Sequence, residues 1–189
     1  MAESGVRLVA VGGFPGSGKS TVASRLADDL RVPLLASDLL GATIKGVLAE
    51  HAPDPVPTSV ASRAGYASLF ALAEEFVGHR CPVIIDVSLG WAFQWAALDE
   101  IRAAHRGVRF SAFILECSPA TCLSRLDERH RRDPARHAPA EEFMRQPQLG
   151  AVGEFLAAVD RPDVVRIDAE RPVDEVHREI RELLASSAA

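Results

Sequence analysis

The sequence predicts a three-layer α/β domain built around a parallel sheet. Three observations lead there: short runs of Val, Ile and Leu bounded by breakers, helical patterns between those runs, and a glycine-rich turn joining the first run to the first helical pattern. An apolar run too short for a helix and lacking polar alternation reads as a strand covered on both faces. The 189 residues suit one domain, taken as 1–189, large enough to bury a substantial core.

The elements follow in order. Val6 to Val11 reads as the first strand, and after Gly18 the residues Val22, Leu26 and Leu30 share one helical face. Pro33 to Ala36 is a shorter second strand, which Asp38 closes. The stretch His51 to Thr58 carries three prolines and separates two helices. Leu69, Leu72, Ala73 and Phe76 mark the later of these, before a third strand at Val83 to Val87. Phe110 to Leu115 is the fourth strand. Ser118 then serves as an N-cap with Pro119 at the first helical position, opening a helix through Leu123 and Leu126. Arg129 to Pro139 is basic, polar and interrupted by proline, and reads as an excursion from the sheet. Val164 to Ile167 forms a fifth strand, and Val173, Val176, Ile180 and Leu183 give a last amphipathic helix.

Composition narrows the function classes. Apolar residues at 48% and charged residues at 25% describe a globular chain, not a disordered or disulfide-dense one. Twenty-one basic against 26 acidic residues leave a formal charge of -5, which repels a phosphodiester backbone and makes nucleic acid a poor partner. Cys81, Cys117 and Cys122 are odd in number and lack paired-ligand spacing, so they read as small buried thiols in a reducing compartment. The N-terminus carries an acid where a signal peptide would carry positive charge, and no segment approaches the ~20 apolar residues that span a bilayer. A cytoplasmic protein without membrane association is the expectation.

Gly13-Phe-Pro-Gly-Ser-Gly18-Lys19-Ser20 satisfies G-x-x-x-x-G-K-[ST] between a strand and a helix, the context in which that pattern has mechanical meaning. Gly13, Gly16 and Gly18, with Pro15 and Ser17 between them, let the backbone curl around phosphate oxygens and aim N–H groups at them. The start of the following helix, through Thr21, adds the positive end of its dipole. Lys19 supplies a point charge for the β and γ phosphates, and the Ser20 hydroxyl suits Mg2+. ATP with Mg2+ is the expected cargo. The guanine-reading N-K-x-D element and the L-S-G-G-Q stretch of transporter ATPases are both absent, and the residues after Ile167 supply one helical pattern where a hexameric motor needs a helical domain. A small single-domain kinase remains.

Two carboxylates accompany the loop. Asp38 either accepts the proton of an attacking hydroxyl or caps the helix through Leu39 and Leu40. Asp86, at the carboxyl end of Val83-Ile84-Ile85, needs a partner if buried, and Mg2+ is a sensible one. Among the basic residues downstream, Arg125 and Arg129 lie four apart on one helical face and could neutralise transferring phosphate; a solvated helix end is the competing reading. Lys45, His51, Arg63 and Tyr66 surround the proline-rich loop, and Trp91 and Trp95 follow Asp86. The tryptophans either stack on an acceptor or pack with Leu98 in the core.

Taken together, Gly13 to Thr21, Ser37-Asp38, Val83 to Asp86, and L-E-C-S-P-A-T-C-L-S-R-L-D-E-R from Leu115 to Arg129 resemble the small P-loop kinases of the AAA_33 or zeta-toxin-like group, relatives of polynucleotide kinase and chloramphenicol phosphotransferase domains. The resemblance implies a five-stranded parallel sheet, ATP with Mg2+, and transfer to the hydroxyl of a small molecule such as an antibiotic, nucleoside or sugar. It further implies Asp38 as general base, Arg125 and Arg129 approaching the nucleotide, an arginine-bearing lid over about residues 129–140 and an acceptor-side helical insertion over about 39–80. Polynucleotide kinases of the group carry an arginine three residues beyond the base, where this chain has Gly41, which counts against a 5'-hydroxyl of nucleic acid as acceptor. Two alternatives stay open beside the small-molecule kinase, a 5'-hydroxyl polynucleotide kinase and a slow ATPase that switches a protein partner; a homo-oligomer is compatible with any of them.

Overall fold

The computed structural model describes residues 6–134, 137, 139–141 and 159–186. Five strands, β1 (Arg7–Gly13), β2 (Leu34–Ala36), β3 (Val83–Asp86), β4 (Arg109–Glu116) and β5 (Val164–Asp168), form one sheet in the order β2-β3-β1-β4-β5. Every neighbouring pair is parallel, so all five carboxyl ends lie along one edge. The helices are α1 (Lys19–Leu30), α2 (Ser37–His51), α3 (Thr58–Gly78), α4 (Ala92–Ala104), α5 (Pro119–Arg132) and α6 (Val173–Ser186).

The strands read as continuous apolar runs because helices cover both faces. Leu8, Ala10, Val83, Ile85, Ala112 and Ile114 point to one side and pack with Leu69, Phe70 and Ala73 of α3 and with Trp95 and Leu98 of α4. Their alternates Val9, Val11, Ile84, Phe113, Leu115 and Ile167 point to the other, against Val22 and Leu26 of α1 and Val176, Ile180 and Leu184 of α6. The period-two alternation of a strand thus feeds two cores at once. Each fully buried Leu or Ile here contributes about 1.5–3 kcal/mol relative to exposure. Among the described residues no helix is long and apolar enough to cross a membrane.

Two boundaries differ from the sequence reading. β2 stops at Ala36 and α2 starts at Ser37, so Asp38 stands in the first turn of a helix and does not close a strand. No side chain caps α2, which removes the capping reading of Asp38. α5 continues to Arg132, so the basic stretch opens as helix, with Arg129, His130, Arg131 and Arg132 in the last turn, where the dipole favours cations. Of the stretch 129–140, residues 135, 136 and 138, Arg136 among them, lie outside the described residues. The N-cap reading of Ser118 holds: its hydroxyl accepts the Thr121 N–H at 3.2 Å, and Pro119 occupies the first helical position.

The stretch 39–80 becomes α2 and α3, packed backbone to backbone. A Cβ at Gly65 would fall 2.9 Å from Cα of Gly41, so α3 needs glycine there, whereas a Cβ at Gly41 would meet open space. Gly65→Ala should therefore lower stability by about 1–3 kcal/mol through overpacking. Gly41→Ala should raise it by about 0.5–1 kcal/mol through helix propensity. Urea denaturation of both variants checks the pair, and equal effects would contradict the packing described.

Candidate active site

β1 lies between β3 and β4, and the crevice beyond their carboxyl ends is where ligands bind in open parallel sheets. The turn after β1 is built for close approach. The Gly13 N–H donates to the Ser88 carbonyl at 3.1 Å and the Ser17 N–H to the Phe14 carbonyl at 3.0 Å, which closes the loop. Gly16 sits at φ 86, and a Cβ on it would lie 2.4 Å from the Cys122 carbonyl oxygen, so the loop rests on the first turn of α5. α1 begins at Lys19 with Gly18 at its N-cap, no side-chain cap and no acidic residue in its first turn. A helix start normally finds a side-chain oxygen for its orphan N–H groups. Here the donors and the positive dipole end stay available for an anion, and Lys19, Ser20 and Thr21 occupy that turn.

Arg125 takes up a different position from Arg129. Its guanidinium donates to the Ser17 carbonyl at 3.3 Å and the Ala169 carbonyl at 2.9 Å, tying α5 to the loop and to the chain after β5. This arginine braces backbone. Arg129, one turn on, is exposed, meets His137 Nδ1 at 3.2 Å, and its charge reaches Asp86.

Asp86 pairs in register with Val11 of β1 and Ala36 of β2, which sets its carboxylate between the loop and the start of α2. It is 3% exposed, and Oδ1 has no hydrogen-bond partner. Burial pushes its pKa above the ordinary carboxylate range, with the nearby Asp38 charge adding to the shift; Lys19, a hydrogen bond from Ser20 and Arg129 oppose it. A buried carboxylate with a free oxygen beside a serine hydroxyl and a phosphate-binding turn is a fit for Mg2+, a hard cation that takes one or two protein oxygens alongside phosphate and water. No cluster of three or more His, Cys, Asp or Glu that could hold a metal by themselves occurs among the described residues.

The acceptor candidates do not converge. Tyr66 stands closest to the carboxylates: burial raises its pKa, Ser88 and Gln94 hydrogen-bond it and lower the pKa, and the Asp38 and Asp86 charges raise it further, so the hydroxyl keeps its proton. Its ring meets Phe93 edge-on at 5.6 Å, and the exposed Arg63 guanidinium lies 3.6 Å over the same Phe93 ring. Lys45 lines a separate cavity of about 560 Å³ between α2, the proline-rich loop and α3, with Leu48, Asp54 and Thr58. His51 is exposed next to Glu50. Trp95 is corrected to a core residue: it is 3% exposed, its indole N–H donates to the Leu89 carbonyl at 2.9 Å, and Arg161 stacks on its ring at 4.7 Å. Trp91 is half-buried at the N-cap of α4, with its backbone N–H donating to Gln94.

Sequence reasoning missed Ser88, Gln94 and Phe93. Gln94 is fully buried, hydrogen-bonded to the Ser88 hydroxyl at 3.1 Å, and Ser88 in turn accepts the Gly13 N–H through its carbonyl. Leu89, next in the chain, is buried at φ 59, a conformation costly for a leucine that the Trp95 bond to its carbonyl helps hold.

Similar solved structures share this architecture. A gluconokinase from Sinorhizobium meliloti superposes with a TM-score of 0.59 at 22% identity, covering 98% of this chain and 94% of the other. A sugar kinase from Janibacter sp. gives 0.60 at 18% identity, with 95% of each chain covered. The APS kinase CysC of Mycobacterium tuberculosis, in complex with AMPPNP and APS, gives 0.59 at 21% identity over 96% of this chain and 98% of the other. At these identities the likeness establishes the fold, that of P-loop kinases. No match was found among curated proteins. The family model AAA_33, described as an AAA domain, matches residues 8–149, most of the chain, and the protein belongs to that family.

Proposed function

We propose that the protein transfers the γ-phosphate of ATP to a hydroxyl of a small molecule. The observation that carries this reading is a pair of carboxylates, Asp86 buried at the end of β3 and Asp38 exposed on the first turn of α2, close enough for their charges to interact, with Lys19 within reach of Asp86. A nucleotide switch needs one carboxylate for its metal; a second one beside it, facing the open edge of the site, is placed to take a proton from an acceptor.

The roles follow from position. The loop amides and the start of α1, over Gly13 to Thr21, hold the phosphates, and Lys19 neutralises the β and γ groups. Ser20 and Asp86 hold Mg2+, which when bound withdraws charge from the transferring phosphoryl group. Asp38 accepts the acceptor's proton. Arg129 faces the same pole and offsets charge that builds up during transfer, while Arg125 keeps the loop in shape. Tyr66, protonated and next to both carboxylates, donates a hydrogen bond to the acceptor, with Arg63 and Trp91 at the rim. The α2–α3 pair is then the acceptor-side insertion, and the basic stretch from Arg129 the lid. The gluconokinase and sugar kinase neighbours support a polyhydroxylated acceptor, and the charge of -5 together with Gly41 speaks against a nucleic acid. We place the protein in the cytoplasm, where ATP and Mg2+ are supplied.

The test is an ADP-release screen against sugars, nucleosides and antibiotics with Mg2+ and ATP, the phosphorylated product identified by mass spectrometry. A protein partner that stimulates hydrolysis, with every small acceptor inert, would replace this reading with the switch. Asp38→Asn should retain ATP binding and lose roughly 10²–10⁴ in kcat; unimpaired transfer would remove Asp38 as base. Lys19→Ala should weaken triphosphate binding about tenfold or more by calorimetry, because a charge-assisted contact is lost. Asp86→Asn should abolish Mg2+-dependent transfer and yet raise the stability of the metal-free protein at neutral pH. That gain reflects a carboxyl whose folded pKa is raised, which costs stability when ionised. The gap from wild type is widest above the raised pKa, narrows as pH falls through it, and closes below the ordinary value of about 4, as denaturant titrations across that range will read.

A further inference from the structure

We propose that Cys117 and Cys122 form a thiol–disulfide pair that controls how firmly the phosphate loop holds its nucleotide. Cys117 follows β4 and is half-buried; Cys122 lies in the first turn of α5 and is 6% exposed. Their sulfur atoms are 2.8 Å apart. A disulfide brings them to about 2.05 Å, so closure takes a movement of under about 1 Å. Cys81, exposed on the chain leading into β3, takes no part.

The pair sits under the loop. The Cys122 carbonyl is the surface on which Gly16 rests, and Arg125, three residues on, donates to the Ser17 carbonyl. β4 is held on both sides by β1 and β5, and Glu116, the residue before Cys117, also accepts the Ala169 N–H at 2.7 Å. The pull falls on the first turn of α5, whose Ser118 N–H and Thr121 hydroxyl bond the Glu170 carboxylate and whose Cys122 carbonyl lies against Gly16. Closing the bond therefore draws that turn toward β4, shifts the Cys122 carbonyl beneath Gly16 and carries Arg125 with it. The loop loses the shape in which its amides converge on phosphate.

A peroxide is the oxidant. The Cys117 sulfur, the more accessible of the two, gives up its proton and attacks one peroxide oxygen as thiolate; the O–O bond breaks, a sulfenic acid forms, and the departing hydroxide takes the released proton as water. Burial, together with its contact with Cys117, pushes the Cys122 thiol up to about 12, so it remains protonated until it attacks the Cys117 sulfur. The S–O bond then breaks, and hydroxide leaves with the Cys122 proton as water. Two thiols give up two electrons and two protons, one peroxide becomes two waters, and a dithiol reductant reverses the change.

This inference rests on the loop binding a nucleoside triphosphate. The full chain is treated with graded hydrogen peroxide, mapped by non-reducing peptide mass spectrometry, and titrated with AMPPNP by calorimetry before and after. The expected result is a Cys117–Cys122 disulfide and about tenfold weaker binding, restored by dithiothreitol. Cys117→Ser should bind like the reduced protein and ignore peroxide; it spares the buried Cys122 position and avoids a folding defect there. Failure to form the intramolecular bond, or unchanged affinity with the bond formed, would overturn the inference while leaving the function intact. Absence of AMPPNP binding in the reduced protein would overturn both.

Discussion

A helix start left without a cap is the constraint around which this molecule is arranged. Three N–H groups at Lys19, Ser20 and Thr21, together with the glycine amides before them, converge with no side-chain oxygen to satisfy them. Such a concentration of donors persists because the loop is braced through backbone on every side. The Ser88 carbonyl takes the Gly13 N–H, the Cys122 carbonyl lies under Gly16, and Arg125 grips the Ser17 carbonyl. A Cβ at Gly13 or Gly16 would fall 2.6 or 2.4 Å from a backbone oxygen, whereas Gly18 has open space beside it and is required by its φ of 93.

The second constraint is charge. Asp86 is buried with one oxygen unpartnered, a state that is unfavourable in the protein alone and that a cation held at this oxygen would relieve. Its raised pKa records that cost. Lys19 and Arg129 lower it, Asp38 raises it, and the four groups make a site that is nearly balanced before the triphosphate enters.

Much of this was legible in the sequence, for a physical reason. The phosphate loop is a local structure in which eight consecutive residues specify geometry and chemistry, and all five strands were readable because burial on both faces leaves an unbroken apolar run. Asp86 announced itself as a charge ending such a run. The boundary at Asp38 did not, because Ala36-Ser37-Asp38-Leu39 contains no breaker and the strand passes straight into α2. Arg125 and Arg129 share a helical face, yet one braces backbone while the other is exposed beside His137 and reaches Asp86 by charge alone; the position of the Ser17 and Ala169 carbonyls separates them. Trp95 carries no mark that distinguishes a core indole from a stacking one until Leu89 supplies an acceptor for it.

The side on which we propose the acceptor binds was the least legible part because it is assembled from three elements distant in sequence. Ser88 follows β3, Gln94 opens α4, and Tyr66 comes from the middle of α3; their hydroxyl, amide and phenol meet beside Asp38 and Asp86. Ser88 belongs to this group through its side chain and to the phosphate loop through its carbonyl, so the two halves of the site share one residue. The strained Leu89 and the Trp95 bond that holds it fix that residue's backbone from behind. Tyr66 and Gly13 thus bond the same serine, the first through its side chain and the second through its carbonyl, so one residue spans the gap between α3 and the loop.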